Sequence, residues 1–238
     1  MPNYSPAWPH SEIREIFPDI FFVMGTNKTH YNNFDLQHSR NMVIVRDGNK
    51  LSLINTVRLD DNGLAALDNL GNVENVIRIG AFHGRDDAFY LDRYKAKLWA
   101  IKGMDHADEI TADTELVTDG EMPFPGCYFF LFETSLFPEG VLVIDKEGGI
   151  LVTCDSIKNW VKADEFFSEE TAKLYQQKSY FGYANISEVW KQATDVQASD
   201  FESLKKLSFR HLISAHGEPL LNDAHEKITK GIIANIIR

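Results

Sequence analysis

Cysteine, excess positive charge and long apolar runs are all scarce in this sequence, and each shortage excludes a class of protein. The 238 residues include two cysteines, Cys127 and Cys154, too few for a disulfide framework. We expect both to be buried free thiols. Lysine and arginine number 24 against 35 aspartates and glutamates, for a net charge of −11. Nucleic acids and anionic membranes require a basic surface, so we expect neither as a partner.

The lack of a long apolar segment also bears on location. No apolar run approaches the roughly 18 residues of a membrane span, and the N terminus lacks the basic and apolar regions of a secretory signal. We therefore expect a cytoplasmic protein whose partner is a small-molecule substrate or ligand. The sequence sets no oligomeric state. Its hydrophobic content of 44% and charged content of 25% are ordinary for a globular chain.

The order of the predicted elements indicates the fold class. Residues 1–19 begin with three prolines in the first seventeen residues and predict an extended N-terminal arm, whereas residues 20–238 show no linker and predict a single domain. A hairpin around Asp47-Gly48 comes first, then alternating helices and strands, then three consecutive strands, and finally helices with one more strand. Hairpins require antiparallel pairing. The pattern therefore predicts an α/β protein (α+β by some schemes) with two mixed β-sheets flanked by helices.

Four of the predicted strands end in side chains that can carry chemistry. Histidines and carboxylates that converge from separate strand ends are typical ligands of zinc, iron or manganese. Such a metal lowers the pKa of its bound water to about 7 and allows hydrolysis. Each residue also has a structural reading: a histidine can be a hydrogen-bonded core residue, and an aspartate can cap a helix. The residues are His83, Arg85, Asp86 and Asp87 after one strand, and Glu133, Asp155 and His216 after three others.

These stretches resemble the metallo-β-lactamase fold superfamily, and in particular its divergent branch of unknown function. The resemblance runs from about Ile20 to the C terminus. It implies a four-layer αββα sandwich with a one- or two-metal site at the edges of its sheets. The stretches that carry it are "NMVIVRDGNKLSLINT", "LDNLGNVENVIRIGAFHGRDDAFYLDRYKAKLWA", "GVLVIDKEGGILVTCDSI" and "LISAHGEP".

The first metal motif of that superfamily, H-x-H-x-D-H, is altered in this chain. His83 matches the first histidine and Asp87 matches the aspartate. Arg85 stands where the second histidine is expected, and Ala88 replaces the third. An arginine cannot bind a metal, because its guanidinium stays protonated.

The later motif positions are also mixed. Asp155 matches the aspartate that bridges two metals, and His216 matches the last histidine, but Glu133 stands where a histidine precedes threonine. A guanidinium binds a carboxylate in fork geometry, so we expect an Arg85–Glu133 ion pair in place of the first metal. The second position keeps Asp87, Asp155 and His216. The resemblance therefore implies at most one metal.

Two hypotheses follow. In the first, the chain is a mononuclear metallo-hydrolase in which Asp87, Asp155 and His216 bind one divalent metal, with zinc favoured over iron or manganese. His83 is then a further ligand or a proton carrier beside Asp87, and Arg85 binds an anionic substrate. The superfamily's substrates include thioesters, lactones, β-lactams and phosphodiesters, and nothing in the sequence selects one.

In the second hypothesis, the protein is a non-catalytic member of the fold without a metal. An ion-pair network of Arg85, Glu133, Asp87 and His216 would hold the strand ends together, and the cleft would bind a small molecule or a partner. Breaking that network with Glu133→Ala would cost about 3–5 kcal/mol. Further residues could approach the site or wall its pocket in either case: His38, Tyr175, Tyr180, Phe181, Tyr183 and Trp190.

Overall fold

The computed structural model describes residues 4–106 and 110–236, with side chains described as far as residue 234. A seven-stranded sheet runs in chain order, antiparallel from β1 to β4 and parallel from β4 to β7. Its strands are β1 (Arg14–Phe17), β2 (Ile20–Tyr31), β3 (Phe34–Asp47), β4 (Lys50–Ile54), β5 (Asn72–Arg78), β6 (Lys97–Ile101) and β7 (Thr114–Leu116).

A second sheet of four strands has the order β13-β10-β9-β8, in which only the β10–β13 pair is parallel. A short ribbon of two strands lies beside it. The second sheet consists of β8 (Cys127–Leu131), β9 (Gly140–Ile144), β10 (Ile150–Thr153) and β13 (His211–Ser214), and the ribbon of β11 (Ile157–Lys158) and β12 (Asn185–Ile186).

Six helices flank the sheets in the described ranges, and none of them is long and apolar enough to cross a membrane. Two helices follow β4 and β5 and permit the parallel connections of the first sheet. The helices are α1 (Asp61–Leu70), α2 (Asp87–Tyr94), α3 (Glu169–Gln177), α4 (Glu188–Thr194), α5 (Ala198–Leu204) and α6 (Ala224–Ile236).

Alternate residues of the second sheet enter two different cores. Leu142 and Ile213 pack into the core shared with the first sheet, whereas their neighbours Val141 and Leu212 pack into a core with Trp190 of α4 and residues of α5 and α6. Successive side chains of a strand point to opposite faces, so this sheet is covered on both sides. The predicted α/β sandwich of two mixed sheets flanked by helices is confirmed.

The segment predicted as an arm, residues 1–19, is extended but attached to the first sheet. Within its described part, Arg14–Phe17 forms β1 and pairs antiparallel with β2. Further bonds precede this strand: the backbone N–H of Ser11 donates to Met24 O, and Pro9 O accepts from the N–H of Thr26. The first sheet therefore includes residues on both sides of the predicted boundary at residue 19.

The β2–β3 hairpin is the element that reaches over the candidate site. Its strands have 12 and 14 residues, and its tip is Asn32-Asn33, both with positive φ, as a two-residue hairpin turn requires. Strand β4 pairs with β3 only from Val43 onward, so the outer half of the hairpin extends beyond its neighbour. His38 and Asn27 lie on this outer half as cross-strand partners.

Candidate metal centre

Three of the predicted metal ligands meet at one point. His83 Nε2 lies 3.2 Å from His216 Nε2. His216 Nε2 lies 3.1 Å from Asp155 Oδ1, and His83 Nε2 lies 3.4 Å from Asp155 Oδ2. Both histidines are buried and Asp155 is mostly buried. The structure thus brings together a cluster of two imidazoles and one carboxylate, which we call the His-His-Asp cluster.

Strand pairing explains why these residues meet. Strands β10 and β13 run parallel and place Thr153 opposite Ser214, so Asp155 and His216 leave the second sheet at the same edge. His83 comes from the loop after β5 of the first sheet. The two sheets are joined at this edge, because Gly140 N–H donates to Ile79 O at 2.9 Å.

Both ring nitrogens of His216 face acceptors. Its Nδ1 lies 3.3 Å from the carbonyl oxygen of Ser39, and its Nε2 lies 3.1 Å from Asp155 Oδ1. A metal at the cluster would take the Nε2 lone pair and leave the ring proton on Nδ1, where Ser39 O accepts it. Burial lowers the pKa of both His83 and His216 below the ordinary value. Both rings are therefore neutral and suited to bind a metal.

The carboxylate of Asp155 is kept ionised. Burial by itself would raise its pKa, but the ammonium of Lys158 and hydrogen bonding within the cluster outweigh this effect and hold the pKa well below its usual range. Lys158 Nζ lies 3.1 Å from Asp155 Oδ1. A metal at the cluster would share Asp155 with this ammonium group.

The ligand atoms are spaced as a tetrahedral metal requires. Ligands at about 2.0–2.1 Å from a zinc ion lie about 3.3 Å from one another. The distances of 3.1–3.4 Å within the cluster match this spacing. Three protein ligands leave one position open, which is the arrangement of catalytic rather than structural zinc sites. The residues therefore fit one metal.

Cys154 is a further ligand candidate that the sequence did not indicate. Its Sγ lies with a His83 nitrogen and an Asp155 oxygen in a group whose atoms are all within 4.8 Å of one another. Burial raises the pKa of this thiol well above its ordinary value, so the free side chain is protonated. Both Cys127 and Cys154 are buried and free, as expected.

Asp87 is not part of the cluster, contrary to the sequence-based expectation. Its Oδ1 accepts a hydrogen bond from Thr56 Oγ1 at 2.5 Å. Burial raises the pKa of Asp87, and its buried Oδ2 has no hydrogen-bond partner in the part of the chain that the structure describes. Among the described residues, no hydrogen bond or ion pair joins Asp87 to His83, Asp155 or His216. The reason is that Asp87 begins α2, which directs its side chain towards Thr56.

The predicted Arg85–Glu133 ion pair does not form. Arg85 donates to Asn27 Oδ1 at 2.8 Å and to Lys28 O at 3.0 Å, and its guanidinium lies 5.2 Å from the ring centroid of Trp8. Glu133 is exposed, and no ion pair of the described chain includes it. Glu133 follows the end of β8 and turns to solvent, so it cannot replace a metal ligand.

The buried carboxyl of this segment is Glu139 instead. It is 1% exposed, and its Oε1 accepts the backbone N–H of Ser156 at 2.5 Å. Burial raises the pKa of Glu139 well above its ordinary value, with a further contribution from Asp155. Glu139 thus supports the turn that carries Asp155. Sequence reasoning missed it, because an isolated glutamate before a Gly gives no sign of burial.

A second buried pair involves the neighbour of Asp87. Arg40 of β3 donates to the carboxylate of Asp86 and to Thr56 O, and Asp86 also accepts the backbone N–H of Arg58 at 2.9 Å. Both partners of the Arg40–Asp86 pair are about 5% exposed. The sequence placed Asp86 at a strand end but did not indicate Arg40 as its partner.

A cavity of about 390 Å³ opens beside the His-His-Asp cluster. His38, Tyr175 and Trp190 line it, as the sequence suggested, whereas Tyr180, Phe181 and Tyr183 do not. Burial lowers the pKa of His38 to about 3. The lining also contains three cationic side chains, Arg40, Arg85 and Lys158. Of these, only Arg85 was predicted to bind substrate.

His38 and Arg85 are connected through Asn27. His38 Nδ1 faces Ser39 O at 3.1 Å, which favours a proton on Nδ1 and leaves Nε2 to accept from Asn27 Nδ2 at 3.3 Å. The amide oxygen of Asn27 is then free to accept from Arg85. This chain of hydrogen bonds anchors the guanidinium at the cavity.

Comparisons with known proteins identify the fold. No family description and no curated protein matches the chain. The solved structure of DIM-1 metallo-β-lactamase exposed to ceftazidime is 16% identical, with a TM-score of 0.59 over 96% of this chain and 99% of that one. VMB-1 at pH 5.5 is 10% identical, with a TM-score of 0.64 over 94% and 97%.

A third similar structure is FIM-1 from Pseudomonas aeruginosa, a metallo-β-lactamase in its mono-zinc form. It is 14% identical, with a TM-score of 0.61 over 98% of this chain and 99% of that one. Identities this low with coverage this complete show a shared fold. The chain has the metallo-β-lactamase fold, as the resemblance implied.

Proposed function

We propose that this protein is a metal-dependent hydrolase with a single metal held by His83, Asp155 and His216. Zinc is the favoured metal. The observation that carries the proposal is the convergence of two imidazole nitrogens and the two oxygens of one carboxylate, with 3.1–3.4 Å between each nitrogen and its neighbours. The predicted count of one metal is kept, and its ligand set is revised, because Asp87 is bonded to Thr56 instead.

The residues of the cluster have different tasks. A divalent metal bound here would supply a water nucleophile at neutral pH. Asp155 provides the negative charge that offsets the metal, and Ser39 orients His216 through its carbonyl oxygen. Among the described residues, the buried Nδ1 of His83 has no hydrogen-bond partner, so this ring is held by packing and by its neighbours in the cluster.

The charge of the cavity favours an anionic substrate. Arg40 is paired with Asp86 and Lys158 with Asp155. Within the described ranges, Arg85 forms no ion pair and donates to neutral oxygen atoms, those of Asn27 and Lys28. A guanidinium with unused donors forms strong hydrogen bonds with carboxylate or phosphate. Arg85 therefore keeps the substrate-binding role that its position in the sequence suggested.

The metal-free alternative now rests on a different observation. Its original basis, the Arg85–Glu133 pair, is absent, but the ammonium of Lys158 lies 3.1 Å from Asp155 Oδ1 and competes with a cation for that carboxylate. In this alternative the cavity binds a small anion without reaction.

One experiment separates the two functions. The full chain is purified without chelator, its metal content is measured by elemental analysis, and its thermal unfolding is followed with and without added zinc. A metal that binds the native state raises Tm by mass action. The hydrolase predicts close to one equivalent of metal, a higher Tm with zinc, and chelator-sensitive hydrolysis of a thioester, lactone or phosphodiester. No metal and no change in Tm would establish the metal-free protein.

A further inference from the structure

Exposed aromatic side chains are concentrated at the mouth of the cavity. Phe82 lines the cavity and is 52% exposed, and its ring centroid lies 5.3 Å from that of Phe137, which is 46% exposed. Tyr31, at the end of β2 beside the hairpin tip, also lines the cavity and is exposed. Single exposed apolar residues are ordinary, but a group of them beside a cavity marks a binding surface.

The same apolar surface continues into the cavity. Leu36 of β3 and Val189 and Ala193 of α4 belong to its lining. The segment that carries Phe137 is attached to the end of α4, because the backbone N–H of Leu136 donates to Thr194 O at 2.8 Å. Phe82 and Phe137 are thus held as a fixed wall beside α4. We call Phe82 and Phe137, with the lining of α4, the apolar wall.

Arg85, one of the three cationic side chains of the cavity, lies on the same loop as Phe82. Arg85 follows Phe82 by three residues, and both line the cavity. Its NH1 group donates to Asn27 and Lys28, whereas no hydrogen bond among the described residues uses its NH2 or Nε. This free edge can bind the two oxygens of an oxyanion. The whole chain carries a net charge of −11. A guanidinium without an ion-pair partner among the described residues is therefore a property of this cavity and not of the surface in general.

We propose that the cavity selects an amphipathic oxyanion, with its acyl or aryl body against the apolar wall and its carboxylate or phosphate head on the free edge of Arg85. This inference rests on the proposed function, because it takes the cavity to be the substrate site. It adds the substrate class and assigns specificity to Phe82, Phe137 and Arg85.

The test measures binding rather than turnover. The full chain is stripped of metal with chelator and titrated by calorimetry with butyrate, octanoate, octyl phosphate, octanol and octylamine. We expect octanoate to bind at least about tenfold more tightly than butyrate, since each buried methylene contributes up to about fourfold. Octanoate or octyl phosphate should also bind about tenfold more tightly than octanol. The tighter of the two anions identifies the head group.

Variants assign the effect to the named residues. Phe137→Ala should reduce the ratio of the affinities for octanoate and butyrate several-fold. Arg85→Gln should lower the affinity for octanoate to nearly that for octanol. The matched controls are Tyr128→Ala, an exposed aromatic that lines a different cavity, and Arg93→Gln, which is paired with Asp68. Both should bind like the wild type.

Equal affinities for octanol and octanoate, or for butyrate and octanoate, would overturn the inference. So would control variants that weaken binding as much as Phe137→Ala and Arg85→Gln. Metal content is measured separately on protein not treated with chelator. If the protein holds no metal but still prefers octanoate, the hydrolase proposal is wrong and the proposed ligand class stands. If it holds a metal but shows no preference for octanoate, the ligand class is wrong and the hydrolase proposal stands.

Discussion

His83 Nε2 lies 3.2 Å from His216 Nε2, although these residues come from different sheets and are 133 positions apart in the chain. Two neutral imidazoles hold their nitrogen atoms this close in two ways: one ring donates its Nε2–H to the other, or both lone pairs bind a metal. Burial lowers the pKa of both rings and so disfavours the imidazolium form, which could not bind a metal. The neutral pair is therefore the feature of the cluster that suits it to a metal.

The ligand set can be tested with isosteric carboxylate variants. Asp155→Asn should reduce zinc affinity by more than about 100-fold, since residues that merely support a ligand are worth 10–100-fold. Asp87→Asn is the matched control and should keep its metal, because Asp87 is bonded to Thr56 rather than to the cluster. Competition with a chromophoric chelator measures both. Loss of zinc from Asp87→Asn as well would restore Asp87 to the ligand set.

Removal of the Lys158 ammonium should strengthen metal binding. Lys158 Nζ lies 3.1 Å from Asp155 Oδ1, so a bound cation is opposed by a like charge close to its ligand. We expect Lys158→Met to bind zinc about tenfold more tightly, equivalent to about 1.4 kcal/mol. Lys162→Met, at an exposed position of the following turn, should not differ from the wild type. Weaker binding by Lys158→Met would show that the ammonium orders Asp155 rather than competing for it.

The two glutamates of the segment after β8 should differ strongly in their effect on stability. Glu139→Ala leaves the buried N–H of Ser156 without its acceptor and should cost about 1–3 kcal/mol of the free energy of unfolding. Glu139→Gln keeps an acceptor and should cost less. Glu133 is exposed, so Glu133→Ala should change stability by less than about 0.5 kcal/mol. Urea unfolding measures all three, and a large loss in Glu133→Ala would revive the ion-pair network.

Acid should destabilise the fold through buried His38. The pKa of this residue is about 3 in the folded protein and about 6.5 in an unfolded chain. Below pH 6.5 the unfolded chain binds a proton that the folded protein does not accept, so the His38 contribution is complete above pH 6.5 and is lost as the pH falls towards 3.

Urea unfolding between pH 7.5 and 5, with chelator present, measures this effect. His83 and His216 also have lowered pKa values and contribute to the slope of the wild type. His38→Gln should reduce that slope by up to about 1.4 kcal/mol per pH unit. His30→Gln is the control for replacing an exposed histidine, since His30 lies beside Asp35 outside the core. An unchanged slope in His38→Gln would show that His38 is not the group that titrates.

Sequence patterns predicted which helices and strands exist better than they predicted how long these elements are. The hairpin at Asp47-Gly48, the helices and the buried strands are present because apolar periodicity and turn residues are local properties. The outer half of the β2–β3 hairpin was not predicted, since "NKTHYNNFDLQHSR" is polar and one face of it meets the cavity rather than a core. The strands β7, β11 and β12 have only two or three residues each and leave no periodic pattern.

Polar residues directly after apolar strands were a sound guide to His83, Asp155 and His216, because chain order alone puts such residues at the edge of a sheet. The sequence by itself determined this edge, the altered motif and the fold class. The tertiary structure decided which side chains meet there, since burial and side-chain direction depend on neighbours distant in the chain. Asp87 accepts a hydrogen bond from Thr56, Arg85 donates one to Asn27, and Glu133 is exposed to solvent. Glu139, Arg40 and Lys158, which no motif distinguished, became the charged surroundings of the cluster.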